Sequence, residues 1–253
     1  MTEYTYINGT KFRYKELNKG ASRPLVMFNG TALNYECWKP LSSRLDRHMI
    51  MVDLPGVGGS GLYDRPPSMT RYVEDMVFLL ACLLEKDGSI EPFDLMGYSF
   101  GGVLAQALTE KYSDCVNKLV LLSTTPGFAG SIPSYKAIMM SMTFGRAVMA
   151  NLLGLGSKDG DVVKNFKTPH PLGPLYSTGA LIHWSKGKRE LNDTHEALII
   201  HGSRDNLLPV KNALALKTLF DGSWLEVIPG ADHLAPLVHA EYCAPLINTF
   251  LED

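Results

Sequence analysis

A serine flanked by glycines is the clearest sign of chemistry in this sequence. The pentapeptide Gly97-Tyr98-Ser99-Phe100-Gly101 follows a short apolar run and precedes a stretch with helical spacing. This G-x-S-x-G pattern is typical of a strained turn between a strand and a helix, where the glycines leave room for the neighbouring backbone. The turn exposes the serine hydroxyl, and the next amide lies at a helix N-terminus, where it can donate to an oxyanion. Ser99 is therefore a candidate nucleophile and Phe100 a candidate oxyanion donor, with an incidental serine in a plain glycine-rich turn as the alternative.

A serine nucleophile needs a base and an orienting acid, and two later segments supply them in the order serine, acid, histidine. Asp205 lies in the loop that follows the apolar run 197–200, and His233 lies in the loop that follows the strand-like run 224–228. The carboxyl ends of neighbouring parallel strands lie at one edge of a sheet. We therefore predict that Asp205 is the acid and His233 the base.

Other acids and histidines fit these two roles less well. Asp232 adjoins His233 in sequence and would have to bend back to reach the imidazole, whereas Asp193 precedes its strand and falls at the wrong edge of the sheet. His201 ends a strand, and we predict that it packs or hydrogen-bonds beneath the Asp205 loop. The remaining histidines are predicted at surface, lid or capping positions: His48, His170, His183, His195 and His239.

The loop after the apolar run 25–28 should supply a second oxyanion donor, because that strand end is expected beside the serine turn. The amide of Thr31 is the best candidate there, and Gly30 permits close backbone approach. A plain Asn-Gly turn is the alternative interpretation. The predicted substrate-binding residues are Asn29, Gly30, Met139, Met142, Met149, Trp184 and Leu234.

The elements that must position these residues follow an α/β pattern. Continuous apolar runs of strand length alternate with helical stretches, which favours a mostly parallel, doubly wound sheet of about eight strands. An Asn8-Gly9 turn predicts an antiparallel hairpin at the start of the chain. The predicted strands are residues 4–7, 11–15, 25–28, 49–52, 93–96, 119–122, 197–200 and 224–228, and the predicted helices are residues 69–86, 100–111, 210–220 and 240–251.

Residues 125–194 interrupt this alternation. They contain a Met-rich helical stretch (135–155), a polar loop (156–167) and a proline-containing run (168–174), with no clear strand. We predict one domain, with a core of residues 1–124 and 195–253 and a helical lid of residues 125–194. The lid side chains could line an adaptable apolar acyl pocket or simply pack the lid onto the core. An apolar lid could equally face a polymer or a partner subunit, which leaves the oligomeric state open.

Composition limits the classes of protein that the chain can belong to. With 253 residues and 45% hydrophobic residues, it is typical of a folded protein of one or two domains. A formal net charge of −2 offers no basic surface for nucleic acid. The most apolar stretch, residues 76–84, is far shorter than the roughly 20 residues of a membrane span. Four dispersed cysteines, predicted as buried thiols, and a polar N-terminus favour the cytoplasm; they are Cys37, Cys82, Cys115 and Cys243.

The motifs together resemble the α/β-hydrolase superfamily over nearly the whole chain. They are FNGT at residues 28–31, DLPGVGGSG at 53–61, GYSFGG at 97–102, and the segments that end at Asp205 and His233. The FNG turn, the PGVGGS run and Ile182-His183-Trp184 are most similar to intracellular medium-chain polyhydroxyalkanoate depolymerases. We expect the 53–61 loop to be structural, because it lacks the lysine of a phosphate-binding loop.

This resemblance implies a serine esterase that forms an acyl-enzyme. Asp205 would orient His233, and the amides of Thr31 and Phe100 would stabilise the oxyanion. The implied substrate is a small-molecule or polymeric ester with an apolar acyl group, such as a hydroxyalkanoate ester, and the reaction requires no metal or organic cofactor. An acyltransferase or perhydrolase with the same triad, or a ligand receptor without turnover, are the alternatives.

Overall fold

An eight-stranded sheet organises the part of the chain that the computed structural model describes, residues 2–21, 23–127, 169–184 and 195–252. Its strands follow the order β1-β2-β4-β3-β7-β8-β9-β10. The first two pairings, β1 with β2 and β2 with β4, are antiparallel, and the other pairings are parallel. The strands are β1 (Thr2–Ile7), β2 (Thr10–Leu17), β3 (Leu25–Phe28), β4 (Met49–Asp53), β7 (Phe93–Tyr98), β8 (Val116–Leu122), β9 (Glu196–Gly202) and β10 (Trp224–Ile228), and a separate hairpin joins β5 (Glu85–Lys86) to β6 (Ser89–Ile90).

Helices cover both faces of this sheet. The alternation of side chains along β3 shows why: Val26 and Phe28 join the apolar cluster on one face, and Leu25 and Met27 join the cluster on the other. The mostly parallel, doubly wound arrangement confirms the predicted fold class. The helices are α1 (Lys39–Ser42), α2 (Met69–Leu84), α3 (Phe100–Lys111), α4 (Leu172–Trp184), α5 (Lys211–Leu219), α6 (Ala235–Val238) and α7 (Ala240–Glu252), with 3-10 turns at Tyr35–Trp38 and Ser113–Cys115.

The sequence did not predict α1, α6 or the β5–β6 hairpin, and two further helices, α2 and α4, differ from what was expected. Helix α2 ends at Leu84 instead of residue 86, because Asp87 and Gly88 adopt positive φ angles of 52° and 83° and turn the chain into the β5–β6 hairpin. Helix α4 begins inside the proline-containing run and includes Pro174 in its first turn. A proline is tolerated there, since the first turn has no intrahelical acceptor for its missing N–H. The predicted Met-rich helix and polar loop of the lid lie outside the described residues.

The 53–61 loop has a structural role, as expected. The Asp53 carboxylate accepts hydrogen bonds from the amides of Tyr35 (2.6 Å) and Gly59 (3.0 Å) and pairs with Arg13 (3.0 Å). The Ser60 hydroxyl in turn donates to the Asp53 carbonyl at 2.6 Å. These bonds tie the loop to β2 and to the 3-10 turn beside it.

The cysteines differ in their exposure. Cys37 and Cys243 are buried, Cys115 is half-buried, and Cys82 lies on the exposed face of the amphipathic helix α2. The expectation of buried thiols is therefore wrong for Cys82 and Cys115. All four are free thiols. Within the described ranges, none of the helices combines the length and hydropathy of a membrane span.

Candidate active site

Ser99 occupies a strained turn between β7 and α3. Its φ and ψ angles are 53° and −119°, a conformation that costs a non-glycine residue about 1–3 kcal/mol. Two hydrogen bonds hold the turn in place: the Ser99 amide donates to the Leu122 carbonyl at 2.9 Å, and the Thr124 hydroxyl donates to the Ser99 carbonyl at 2.6 Å. The close approach of β7 and α3 requires small residues, since a Cβ at Gly97 would lie 2.5 Å from the Cα of Gly102.

Three side chains from separate segments meet at this turn. The Ser99 Oγ lies 3.1 Å from Nε2 of His233, and Nδ1 of the same imidazole lies 2.6 Å from Oδ2 of Asp205. The contacts span 134 and 28 residues of sequence. Parallel pairing of β9 with β10 brings the last two segments together, because Asp205 follows β9 and His233 follows β10.

The Asp205 carboxylate is almost fully enclosed by hydrogen-bond donors. Its Oδ1 accepts the amides of Leu207 (2.9 Å) and Leu208 (2.7 Å), and its Oδ2 faces His233 and His201. Burial alone raises the pKa of this carboxyl, but the attraction of His233 and the hydrogen bonds outweigh burial and hold the pKa below its ordinary value. Asp205 is therefore anionic at neutral pH.

The loop after β3 lies directly against the serine turn. A Cβ at Gly30 would lie 2.9 Å from the Tyr98 ring and 3.1 Å from the Cβ of Ser99, so only glycine fits. Thr31 follows at a half-buried position, and Phe100 begins helix α3 on the other side. Neither the Thr31 amide nor the Phe100 amide donates to another described residue. Both remain available to an acceptor beside Ser99.

Tyr98 and Thr124 contribute to the site, although the sequence analysis assigned them no role. The buried Tyr98 ring lies between Trp38 and the His233 imidazole, with centroid distances of 6.4 and 5.3 Å, and its hydroxyl donates to the His233 carbonyl at 3.2 Å. The adjacency of Tyr98 to Ser99 was the available sequence signal. Thr124 had none, since it follows β8, a strand without a predicted site residue.

Other predicted residues occupy varied positions. Asn29 and Leu234 are fully buried, and the Asn29 amide donates to the Leu33 carbonyl. Trp184 ends α4 and packs against the apolar cluster that includes α2 and α3. Asp232 accepts the Leu234 amide at 2.9 Å. Asp193 and the predicted lid methionines lie outside the described residues; the latter are Met139, Met142 and Met149.

The histidines away from this cluster pair with other groups or lie at the surface. His48 is buried, so the prediction of a surface, lid or capping position is wrong for it, and its Nε2 lies 2.7 Å from a Glu16 carboxylate oxygen. His195 lies within 3.1 Å of two backbone carbonyls. His170 accepts the Leu172 amide at the start of α4. His183 and His239 are exposed. Across residues 2–21, 23–127, 169–184 and 195–252, no group of three or more His, Cys, Asp or Glu side chains has a metal-binding arrangement.

Known proteins with similar sequences include several hydrolases. The chain is 26% identical to 2-hydroxy-6-oxo-2,4-heptadienoate hydrolase of Pseudomonas putida, an alignment that covers 92% of this chain and 90% of that one. It is also 26% identical to poly(3-hydroxyalkanoate) depolymerase of Ectopseudomonas oleovorans, with 91% and 84% covered. The second relative agrees with the narrower resemblance noted in the sequence.

The fold has close counterparts among solved structures. A meta-cleavage product hydrolase from Pseudomonas fluorescens IP01 superposes with a TM-score of 0.80 at 20% identity, with 99% of this chain and 97% of the other covered. The family model of the alpha/beta hydrolase family matches residues 25–246, a range that contains the serine turn and both of its partner loops. The chain therefore belongs to the α/β-hydrolase family.

Proposed function

We propose that this protein is a serine-dependent carboxylic ester hydrolase that acts through an acyl-enzyme on esters with an apolar acyl group. The observation that carries the proposal is the continuous chain of hydrogen bonds from Ser99 through His233 to Asp205, with distances of 3.1 and 2.6 Å. Distances in this range allow proton transfer from a hydroxyl to an imidazole. In this proposal Ser99, His233 and Asp205 are the catalytic residues.

The first half of the reaction acylates the serine. His233 accepts the Ser99 proton through Nε2 while Oγ attacks the ester carbonyl, and the anionic Asp205 stabilises the imidazolium that forms. The amides of Thr31 and Phe100 donate to the tetrahedral oxyanion, and His233 then protonates the departing alcohol. A water molecule activated by the same imidazole hydrolyses the acyl-enzyme.

The apolar character of the proposed acyl group is inferred from the residues assigned to the lid. We assign residues 1–124 and 195–253 to the core and residues 125–194 to the lid, of which α4 is the described part. Helix α4 reaches the loop after β3, which contains the proposed oxyanion donor Thr31, because the Ser177 hydroxyl lies 3.2 Å from that of Thr31. The proposed acyl contacts are Asn29, Gly30, Met139, Met142, Met149, Trp184 and Leu234. A hydroxyalkanoate ester, small or polymeric, fits this assignment and the depolymerase relative.

A second candidate function is hydrolysis of a carbon–carbon bond beside a ketone. It is favoured by the relative named 2-hydroxy-6-oxo-2,4-heptadienoate hydrolase, which is as similar to this chain as the depolymerase is. Both reactions need addition to a carbonyl and a stabilised oxyanion. They differ in the bond that breaks, and substrate preference distinguishes them.

Ser99→Ala tests the nucleophile. We expect kcat for p-nitrophenyl esters to fall by roughly 10⁴-fold to 10⁶-fold, because the variant lacks the attacking oxygen. The thermal unfolding midpoint should stay near that of the wild type. Ser89→Ala, in the β5–β6 hairpin, is the control and should keep full activity. Turnover of the Ser99→Ala variant near the wild-type rate would show that the nucleophile is assigned wrongly.

The choice between the two functions is tested with a set of substrates. The wild type is assayed on p-nitrophenyl esters of increasing acyl length, on a poly(3-hydroxyalkanoate) suspension and on 2-hydroxy-6-oxo-2,4-heptadienoate. An ester hydrolase with an apolar pocket should gain kcat/KM with acyl length, at about 0.8 kcal/mol per buried methylene. A kcat/KM for the dienoate that exceeds every ester would favour the carbon–carbon hydrolase instead.

A further inference from the structure

The Asp205 carboxylate contacts a second buried histidine. His201, near the end of β9, is fully buried, and its Nε2 lies 2.7 Å from the Leu208 carbonyl and 3.2 Å from Oδ2 of Asp205. The same Oδ2 is the atom that pairs with Nδ1 of His233. One carboxylate oxygen is therefore shared between two imidazoles.

The neighbours of His201 determine which of its nitrogens carries hydrogen. Nε2 faces two acceptors and must donate, whereas Nδ1 is buried without a hydrogen-bond partner in the described structure. A cationic ring would leave a charged N–H donor buried and unpaired at Nδ1, which costs more than an unused acceptor. The neutral ring with hydrogen on Nε2 is the form that fits. The single Nε2 hydrogen of His201 then lies between the Leu208 carbonyl at 2.7 Å and Oδ2 of Asp205 at 3.2 Å, and both acceptors share it. In this form His201 does not compete with His233 as a base.

This donor changes the strength of the bond between Asp205 and His233. A hydrogen bond to Oδ2 draws negative charge away from the imidazole on the other side, so it weakens the attraction for a protonated His233. It also holds the carboxylate in one rotation, together with the Leu207 and Leu208 amides on Oδ1. The bond from His201 thus favours the neutral, proton-accepting form of His233.

Among the described residues, few other ionisable groups face this pair. Asp205 is contacted by His201 from β9 and by His233 from the segment after β10, and Tyr98 from β7 interacts with it electrostatically. Burial raises the pKa of the Tyr98 hydroxyl well above its ordinary value, and Asp205 and Asp232 contribute in the same direction, so the phenol stays neutral. Tyr98 therefore adds no charge to the site near neutral pH.

We propose that His201 is a positioning residue for the catalytic acid: by donating from Nε2 to Oδ2 of Asp205, it extends the activity of the enzyme toward lower pH. The expected effect on the pH dependence of kcat/KM rests on the proposed function. The effect of His201 on the titration midpoint of His233 can be measured without turnover. A residue that only supported the Asp205 loop would affect stability and kcat without moving the pH dependence.

His201→Leu removes the donor, and His201→Gln keeps one at a similar distance from the backbone. In the leucine variant we expect the acid limb of the kcat/KM profile to move up by roughly half to one pH unit and kcat to fall roughly 10-fold, with KM unchanged. The glutamine variant should restore the wild-type limb. His48→Gln, at another buried histidine beside a carboxylate, is the matched control and should leave the profile unchanged.

An NMR titration gives the same answer independently of catalysis. The ring Cε1–H signal of His233 is assigned by its loss in His233→Asn, and its midpoint is followed in the wild type and in each His201 variant. We expect the leucine variant to raise this midpoint by the amount of the kinetic shift. If the wild type hydrolyses no ester, the proposed function fails, and the NMR titration still decides the role of His201.

The pH dependence also decides the outcome if the leucine variant does not fold. His201→Asn then replaces it, because its amide is one methylene shorter and does not reach Oδ2, whereas that of His201→Gln does. A midpoint that shifts in the asparagine variant and not in the glutamine variant supports the proposal. An unchanged midpoint in a folded variant without the donor, or an equal shift in His201→Gln, overturns it.

Discussion

The charge of Asp205 links the stability of the fold to pH. The pKa of this carboxyl is lower in the folded protein than its ordinary value of about 3.9. At pH values between these two pKa values, the unfolded chain therefore binds more protons than the folded one. The free energy of unfolding therefore rises with pH across the interval. The stabilisation is complete above about pH 5 and is lost as the pH falls through the lower, folded-state pKa.

Asp205→Asn removes this titration. We expect the variant to be less stable than the wild type at pH 7, because the amide replaces one acceptor oxygen by a donor and carries no charge, and the difference should narrow below pH 4. Urea unfolding at pH 7 and pH 3 measures it. Asp64→Asn, at an exposed carboxylate, should match the wild type at both pH values. An equal difference at pH 7 and pH 3 would contradict the assignment of the stabilising charge.

Individual residues of the site differed in how far the sequence could predict them. The positions of Ser99, Asp205 and His233 followed from strand ends and chain order, and the structure brings the three side chains together. The contact of His201 with Oδ2 and the bond from Thr124 to the serine carbonyl depend on the path of two loops. Periodicity carries no information about such paths, so these contacts had no signal in the sequence.

The elements around the serine turn approach so closely that their packing limits the residues at the turn. A Cβ at Gly101 would lie 2.7 Å from the Asn29 carbonyl oxygen and closer still to that of Phe28. Helix α3 therefore rests directly on the end of β3, which leads into the loop that contains Thr31. The same contact that holds the fold together also sets the distance between the two proposed oxyanion donors.

Gly101→Ala tests this contact. We expect a loss of roughly 1–3 kcal/mol in stability from overpacking, together with a fall in kcat that exceeds any change in KM. Gly179→Ala is the matched control in the interior of α4, where a Cβ meets no atom of the described residues within 4 Å. The control should gain about 0.5–1 kcal/mol, as expected for glycine replaced by alanine in a helix. Similar melting temperatures for the two variants would show that the α3–β3 contact is not limiting.

Strands were more predictable than the elements that end or interrupt them. The middle of the buried strand β9, residues 197–200, is an unbroken apolar run, because both of its faces are covered by helices. Helix α4 was not predicted, because Pro174 argues against a helix in the sequence. The proline lies in the first turn of the helix, where it does not interrupt the backbone hydrogen bonds. The end of α2 was set by Asp87 and Gly88, whose left-handed backbone outweighs the helical spacing before it.

The two ends of the parallel strands carry different kinds of residues. The carboxyl ends of the strands carry Ser99, Asp205 and His233, whereas the opposite edge holds a buried ion pair between Arg47 and Asp94 at 2.8 Å. Arg47 also donates to the Leu251 carbonyl in the last turn of α7 at 2.8 Å. This one side chain connects the segment before β4, the start of β7 and the C-terminal helix.

Arg47→Ala should therefore destabilise the molecule without affecting its chemistry. Removing one partner of a buried ion pair leaves the other charge uncompensated, which costs roughly 3–5 kcal/mol and lowers Tm by roughly 10 °C in a protein of this size. Arg44→Ala is the matched control: its pair with Glu241 is exposed, with side chains 38% and 85% accessible, and should cost about 1 kcal/mol or less. Thermal unfolding and an esterase assay at 25 °C check both variants.

Because Arg47 lies at the end of the strands opposite Ser99, kcat should stay within about twofold of the wild type while the protein is folded. A Tm for Arg47→Ala equal to that of Arg44→Ala would show that the C-terminal helix is held by its apolar face alone.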